Sequence, residues 1–136
     1  MSDRANPRAL LLGTPGVSRD RLNALVLAGQ MRATAGPYDP DDPYEVETVG
    51  ERLVLLSSED DAVALVQITR VDVFALSAVP LEFVAAEGYH SVEEWRRDHR
   101  AWFAAEGMDL AEDTMLLCLW FRLLDEPPPP SRPARP

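Results

Sequence analysis

Apolar residues recur along this chain in two rhythms, and the switches between them predict the elements. Leu22, Leu25 and Val26 repeat at helical spacing, with Val17 and Leu22 placed as a hydrophobic staple and Ser18 as an N-cap. A first helix is expected there, ended by Gly29. Over residues 52–57 and 62–74 the sequence is rich in Val, Leu and Ile with partial alternation, and Glu59-Asp60-Asp61 separates the two runs. That pattern predicts a β-hairpin. After Pro80 a short helix is expected over residues 81–87, and Ser91-Val92-Glu93-Glu94 then offers a capping box for the longest helix. Val92, Trp95, His99, Trp102 and Phe103 give that helix a broad aromatic face, expected to lie on the sheet. A last strand over residues 115–124 ends at Asp125-Glu126.

The remaining segments set the organisation. Residues 36–49 contain three Pro and five acidic side chains, which predicts a long loop of the kind that borders functional sites. Residues 1–14 show little periodicity beyond the run 9–12 and are expected to form a mobile arm. The tail 127–136, mostly Pro with two Arg, cannot build a core and is expected to be extended or disordered. One α+β domain over residues 15–126 follows, of a size that can bury a core without metal or disulfide support.

Charge narrows the functional classes. All thirteen basic residues are Arg, so no lysine chemistry is available, and the formal net charge is −10. Residues 15–126 hold nine Arg against twenty-two Asp and Glu, a balance of −13. Long duplex nucleic acid is therefore not an expected partner, because such binders neutralise many phosphates with a basic face. Arg96, Arg97 and Arg100 are interleaved with Glu93, Glu94 and Asp98, the pattern of a solvated helix face. No run of about eighteen apolar residues occurs, so no membrane span is expected and a cytoplasmic location is. The lone Cys118, inside the apolar run 115–121, reads as core packing. One Cys and two His nine residues apart give no zinc spacing, Asp39-Pro40-Asp41-Asp42 is no calcium loop, and no phosphate-binding Gly-rich loop is present. Neither a metal nor a cofactor is expected.

Three segments in order carry a resemblance: Gly29-Gln30-Met31-Arg32-Ala33-Thr34, Val49-Gly50-Glu51-Arg52, and Ser91-Val92-Glu93-Glu94-Trp95-Arg96-Arg97-Asp98-His99. Together they resemble a bacterial branch of the ASCH-domain family, in which they read Gly-x-Lys-x-x-Thr, Val-Gly-Asp/Glu-Arg and Ser-Leu-Glu-x-Trp-Arg-x-x-His. The resemblance covers roughly residues 11–124 and implies a small PUA-like β-barrel with flanking helices. Enzymatic relatives hydrolyse the amide of N4-acetylated cytidine with the Thr as nucleophile, the Lys as proton acceptor and a Glu as proton donor. Other relatives are ribonucleases or RNA binders. Carried over by motif, the nucleophile position is Thr34, the lysine position is Met31, and the Glu falls on Glu87.

Met31 decides what this resemblance can mean. A threonine hydroxyl needs a base to take its proton, and a thioether has no usable basicity. Arg32 stays protonated, so it can anchor a phosphate or carbonyl oxygen but cannot accept a proton. A positioned acid or base contributes about 10²- to 10⁴-fold, so the old hydrolysis is expected to be lost or much weakened. The last strand agrees: relatives read Cys-Glu-Arg-Phe where this chain has Cys118-Leu119-Trp120-Phe121. His90 is the one nearby candidate for a substitute base. His99, on the apolar helix face, reads as a hydrogen-bonded core histidine.

The favoured expectation is a module binding a nucleoside, nucleotide or short RNA, with Thr34, Arg32 and Glu87 as polar contacts, His90 at the rim, and Tyr38 or Tyr44 as stacking rings. Hydrolysis of an N4-acylated cytidine or related amide by Thr34 and Glu87 is the alternative. A third is a protein-interaction role for the acidic domain or the Pro-rich tail.

Overall fold

The structure is a computed structural model that describes residues 7–42 and 46–129. Five strands and three helices occur in the order β1 (Arg8–Leu10), α1 (Val17–Leu27), β2 (Ala33–Pro37), β3 (Arg52–Leu56), β4 (Ala62–Ala75), α2 (Leu81–Ala86), α3 (Val92–Ala105) and β5 (Met115–Leu123). They build one curled half-barrel sheet in the order β1-β3-β4-β5-β2. Among the described residues only the β1–β3 pairing is parallel.

The expected hairpin is β3–β4, turned by Ser57 to Asp61, with Asp60 at φ 65° and the Ser57 hydroxyl accepting from the Glu59 and Asp61 amides. β4 is long enough to pair with β3 through its first half and with β5 along most of its length. A register shift between Ile68 and Arg70 lets the strand bend, as bulges do. The two faces of the curled sheet feed two cores. One holds Leu10, Leu12, Val26, Met31, Leu53, Leu55, Val66, Ile68, Leu119 and Phe121 beneath α1. The other packs Ala33, Leu116 and Cys118 against Phe83, Val84, Trp95 and Phe103 of α2 and α3.

Three expectations change. Residues 8–10, assigned to a mobile arm, form edge strand β1 on β3, with Leu10 and Leu12 buried. Arg8 fixes this strand through a bidentate pair at 2.8 Å to the buried Glu51 carboxylate, which also accepts from the Thr48 amide. Ser18 does not cap α1. Gly16 at φ 109° occupies the cap position, and its amide donates to the Ser58 hydroxyl, a long-range partner that local spacing could not reveal. Trp102 is not on the packed face: it is 38% exposed, while Trp95 and Phe103 are buried. Ser91 does cap α3, accepting from the Glu94 amide at 3.3 Å. Cys118 is free and fully buried, and burial together with the Glu87 and Asp72 charges pushes its thiol up to about 12. The tail from residue 130 onward lies outside the described residues.

Candidate functional site

The turn that precedes β2 is built by the end of α1. Gly29 adopts φ 76° just past the helix, and the Leu25 carbonyl accepts from the amides of both Gln30 and Met31. This ties Met31 down, and its side chain is 3% exposed within the apolar core beneath α1. The Arg32 amide then donates to the Ala86 carbonyl at 2.7 Å, joining the turn to the end of α2, while its carbonyl accepts from the Phe121 amide. The Arg32 side chain is exposed and has no hydrogen-bond or carboxylate partner among the described residues.

Strand alternation then separates the motif side chains. Ala33 and Ala35 pair with Trp120 and Cys118 and face the α2–α3 core. Thr34 pairs with Leu119 and so faces the other side, with Met31, Leu117 and Leu119. Its hydroxyl is half-buried and has no hydrogen-bond partner among the described residues.

Glu87 belongs to the opposite face. It follows α2, is 6% exposed, and is held from two directions: Trp95 Nε1 donates to Oε2 at 2.9 Å, and His99 Nε2 lies 3.3 Å from Oε1. The His99 ring stacks on Trp95 with centroids 4.1 Å apart, and its Nδ1 lies 2.8 Å from the Trp95 carbonyl. A carbonyl can only accept, so Nδ1 carries hydrogen. Burial by itself would lower the His99 pKa, but the hydrogen bond and charge of Glu87, the Trp95 carbonyl and the Asp98 charge together raise it above its ordinary value. Both ring nitrogens of His99 thus face oxygen atoms, the Trp95 carbonyl and the Glu87 carboxyl, an arrangement that favours the charged form of the ring.

Around this dyad Tyr89 donates to Asp98 at 3.1 Å, and burial together with Asp98 pushes its phenol up to about 12. His90 is exposed at the head of α3. Tyr38 is half-buried against the barrel core beside β2, and Tyr44 lies outside the described residues. Thus Arg32 and Thr34 share one segment and Glu87 abuts it through the backbone, but the side chains of Met31, Thr34 and Glu87 do not meet at one point. The partnership of His99 with Glu87 was missed by spacing alone. The signal available was the buried-face His, whose second nitrogen needs a partner once the first bonds the preceding turn.

The ASCH-domain family model matches residues 9–125. The chain belongs to the ASCH-domain family. Among solved structures, protein EF3133 from Enterococcus faecalis V583 superposes with a TM-score of 0.76 at 23% identity, over 90% of this chain and 78% of that one. An ASCH domain from Lactobacillus crispatus JV V101 gives 0.66 at 23% identity, over 76% of this chain and 70% of that one. ASCH from Zymomonas mobilis gives 0.53 at 10% identity, over 80% and 64%. At these identities the likeness establishes the fold, a half-barrel of the PUA-like kind, and no residue role. No curated protein matches this ASCH chain in sequence. Among the described residues no helix is long and apolar enough to cross a membrane, and no group of three or more His, Cys, Asp or Glu side chains could hold a metal ion.

Proposed function

We propose that this ASCH domain is a non-hydrolytic module that binds a nucleoside, a nucleotide or an exposed base of a short RNA beside the turn 29–34. The observation that carries the reading is the divergence of the motif side chains. Met31 is sealed in an apolar core, the Thr34 hydroxyl has no hydrogen-bond partner among the described residues, and Glu87 is already engaged by Trp95 and His99. Nucleophilic attack by a hydroxyl needs its proton taken, and none of these groups can take it. Recognition needs less: the Thr34 hydroxyl and the Arg32 guanidinium are uncommitted polar groups on one segment. The acidic balance of the domain favours a small ligand over a long polyanion.

The test is a thermal-shift series with nucleosides, nucleotides and short oligoribonucleotides, run beside a turnover assay on N4-acetylcytidine. Binding raises the melting temperature by mass action. The reading expects such a rise, weakened in Arg32→Ala, with no turnover. Turnover of N4-acetylcytidine that Thr34→Ala abolishes would transfer the protein to the amidohydrolases. No shift with any probe would leave an interaction role for the acidic domain or the Pro-rich tail.

A further inference from the structure

The two ring nitrogens of His99 set a condition on protons. Nδ1 lies 2.8 Å from the Trp95 carbonyl and Nε2 lies 3.3 Å from the Glu87 carboxyl. A neutral imidazole carries one N–H, and Nδ1 holds it. The second contact is therefore favourable only while a further proton sits between Nε2 and Oε1, on either partner. Once that proton leaves, a ring lone pair faces a buried carboxylate oxygen and the contact turns repulsive.

The same carboxyl group belongs to the segment that abuts the 29–34 turn. Just before Glu87, the Ala86 carbonyl accepts from the Arg32 amide at 2.7 Å. Just after it, Gly88 at φ 94° sits so near the Gln30 carbonyl that a Cβ there would lie 3.5 Å away. Contacts to the turn thus flank Glu87 on both sides, and the Arg32 amide is the joint between the turn and the end of α2. The groups around the ring leave the proton to this pair. Tyr89, whose ring centroid lies 5.9 Å from that of His99, and Cys118 of β5, which feels the Glu87 charge, are both pushed up to about 12 and stay neutral near pH 7. Asp98 accepts from the Tyr89 hydroxyl and lies 3.6 Å from Arg97, and its charge favours a protonated ring. The Arg21 charge acts on the Tyr89 phenol in the opposite sense to Asp98.

We propose that the Glu87–His99 contact is a proton-operated latch on the 29–34 turn. With its proton in place it fixes residues 86–88 against the turn, and when the proton is lost the hydrogen bond from the Arg32 amide to the Ala86 carbonyl opens more often. Trp95 Nε1 holds Oε2 at 2.9 Å in either state, so the joint loosens while α3 stays docked. Because the His99 pKa is raised, the latch is closed below about pH 6.5 and opens as pH rises through the folded value. Proton occupancy thereby sets how firmly the segment bearing Arg32 and Thr34 is held. The latch is a property of the free protein, so its test does not depend on the binding reading.

The test is NMR of the full chain from about pH 5.5 to about pH 9, the range in which a histidine titrates. The His99 ring protons give the midpoint, and hydrogen exchange of the Arg32 amide, divided by its intrinsic rate, gives the opening of the joint. The latch predicts that this opening rises about three- to tenfold across the His99 midpoint, as one weakened hydrogen bond implies, while amides of the β3–β4 hairpin change less than about twofold. In His99→Gln the rise should vanish, because glutamine does not titrate. The parent titration decides the matter by itself if that variant does not fold. Arg32 opening that is flat across the midpoint, a rise matched by the hairpin amides, a rise that persists in His99→Gln, or a His99 ring that never titrates in this range overturns the latch.

Discussion

Replacing Met31 by lysine restores the residue type that the family turn carries, and it tests directly whether the position is an open site or closed core. In the parent the side chain is 3% exposed and surrounded by Leu10, Leu12, Val26, Leu53 and other apolar groups. Burial in that apolar core disfavours an ammonium, so the lysine is expected to fold in its neutral form. Deprotonating a lysine of ordinary pKa about 10.4 at pH 7 costs about 1.36 kcal/mol per pH unit, hence about 4–5 kcal/mol. The sign follows from linkage. The unfolded chain binds a proton that the folded chain does not, so stability rises with pH, and the penalty should shrink to about 2 kcal/mol at pH 9. Urea unfolding of parent and Met31→Lys, followed by tryptophan fluorescence at both pH values, measures this, with Met31→Leu as a packing control expected to cost less than about 1.5 kcal/mol. A lysine variant within about 1 kcal/mol of the parent at both pH values would refute the closed-core argument and return Met31 to the mouth of a site.

Two further expectations follow from other parts of the structure. The raised His99 pKa means that its pair with Glu87 stabilises the fold fully below the unfolded value of about 6.5 and that this contribution is lost as pH rises through the folded value. The stability difference between parent and His99→Gln should therefore shrink from about pH 6 to about pH 9, and a difference that grows with pH in urea unfolding would contradict a raised His99 pKa. Arg8→Ala leaves the buried Glu51 carboxylate with only its remaining partners, which should cost about 2–3 kcal/mol and expose the β1–β3 amides to hydrogen exchange. Unchanged protection of Val54 and Leu55 in that variant would show that the ion pair does not hold the strand.

Elements governed by local rules were legible in the sequence, and those governed by distant contacts were not. The hairpin, α2, α3 with its Ser91 cap and the last strand each carry their cause within a few residues, as periodicity, a turn cluster or a capping side chain. β1 carries no such signal. It is three residues long and exists because β3, more than forty residues away, offers a parallel edge and Glu51 offers Arg8 a partner. The Ser18 cap failed for the same reason: the start of α1 is tied instead by the Gly16 amide, which donates to the distant Ser58 hydroxyl. In the candidate site, Thr34, Arg32 and Met31 were legible as a turn, but the face each side chain takes depends on how β2 pairs with β5.

The helix motif of Trp95 and His99 gains a physical meaning from this arrangement. In a strip of sequence, Glu87, Trp95 and His99 look like one acidic candidate and two aromatic core residues. In the fold they are one unit, because α2 ends with a carboxylate under α3, and a buried carboxylate destabilises the fold unless donors meet it. The indole N–H and the His99 ring meet it from successive turns of α3, at 2.9 and 3.3 Å. The Trp95 and His99 pair thus docks α3 on the end of α2 through one shared carboxyl group.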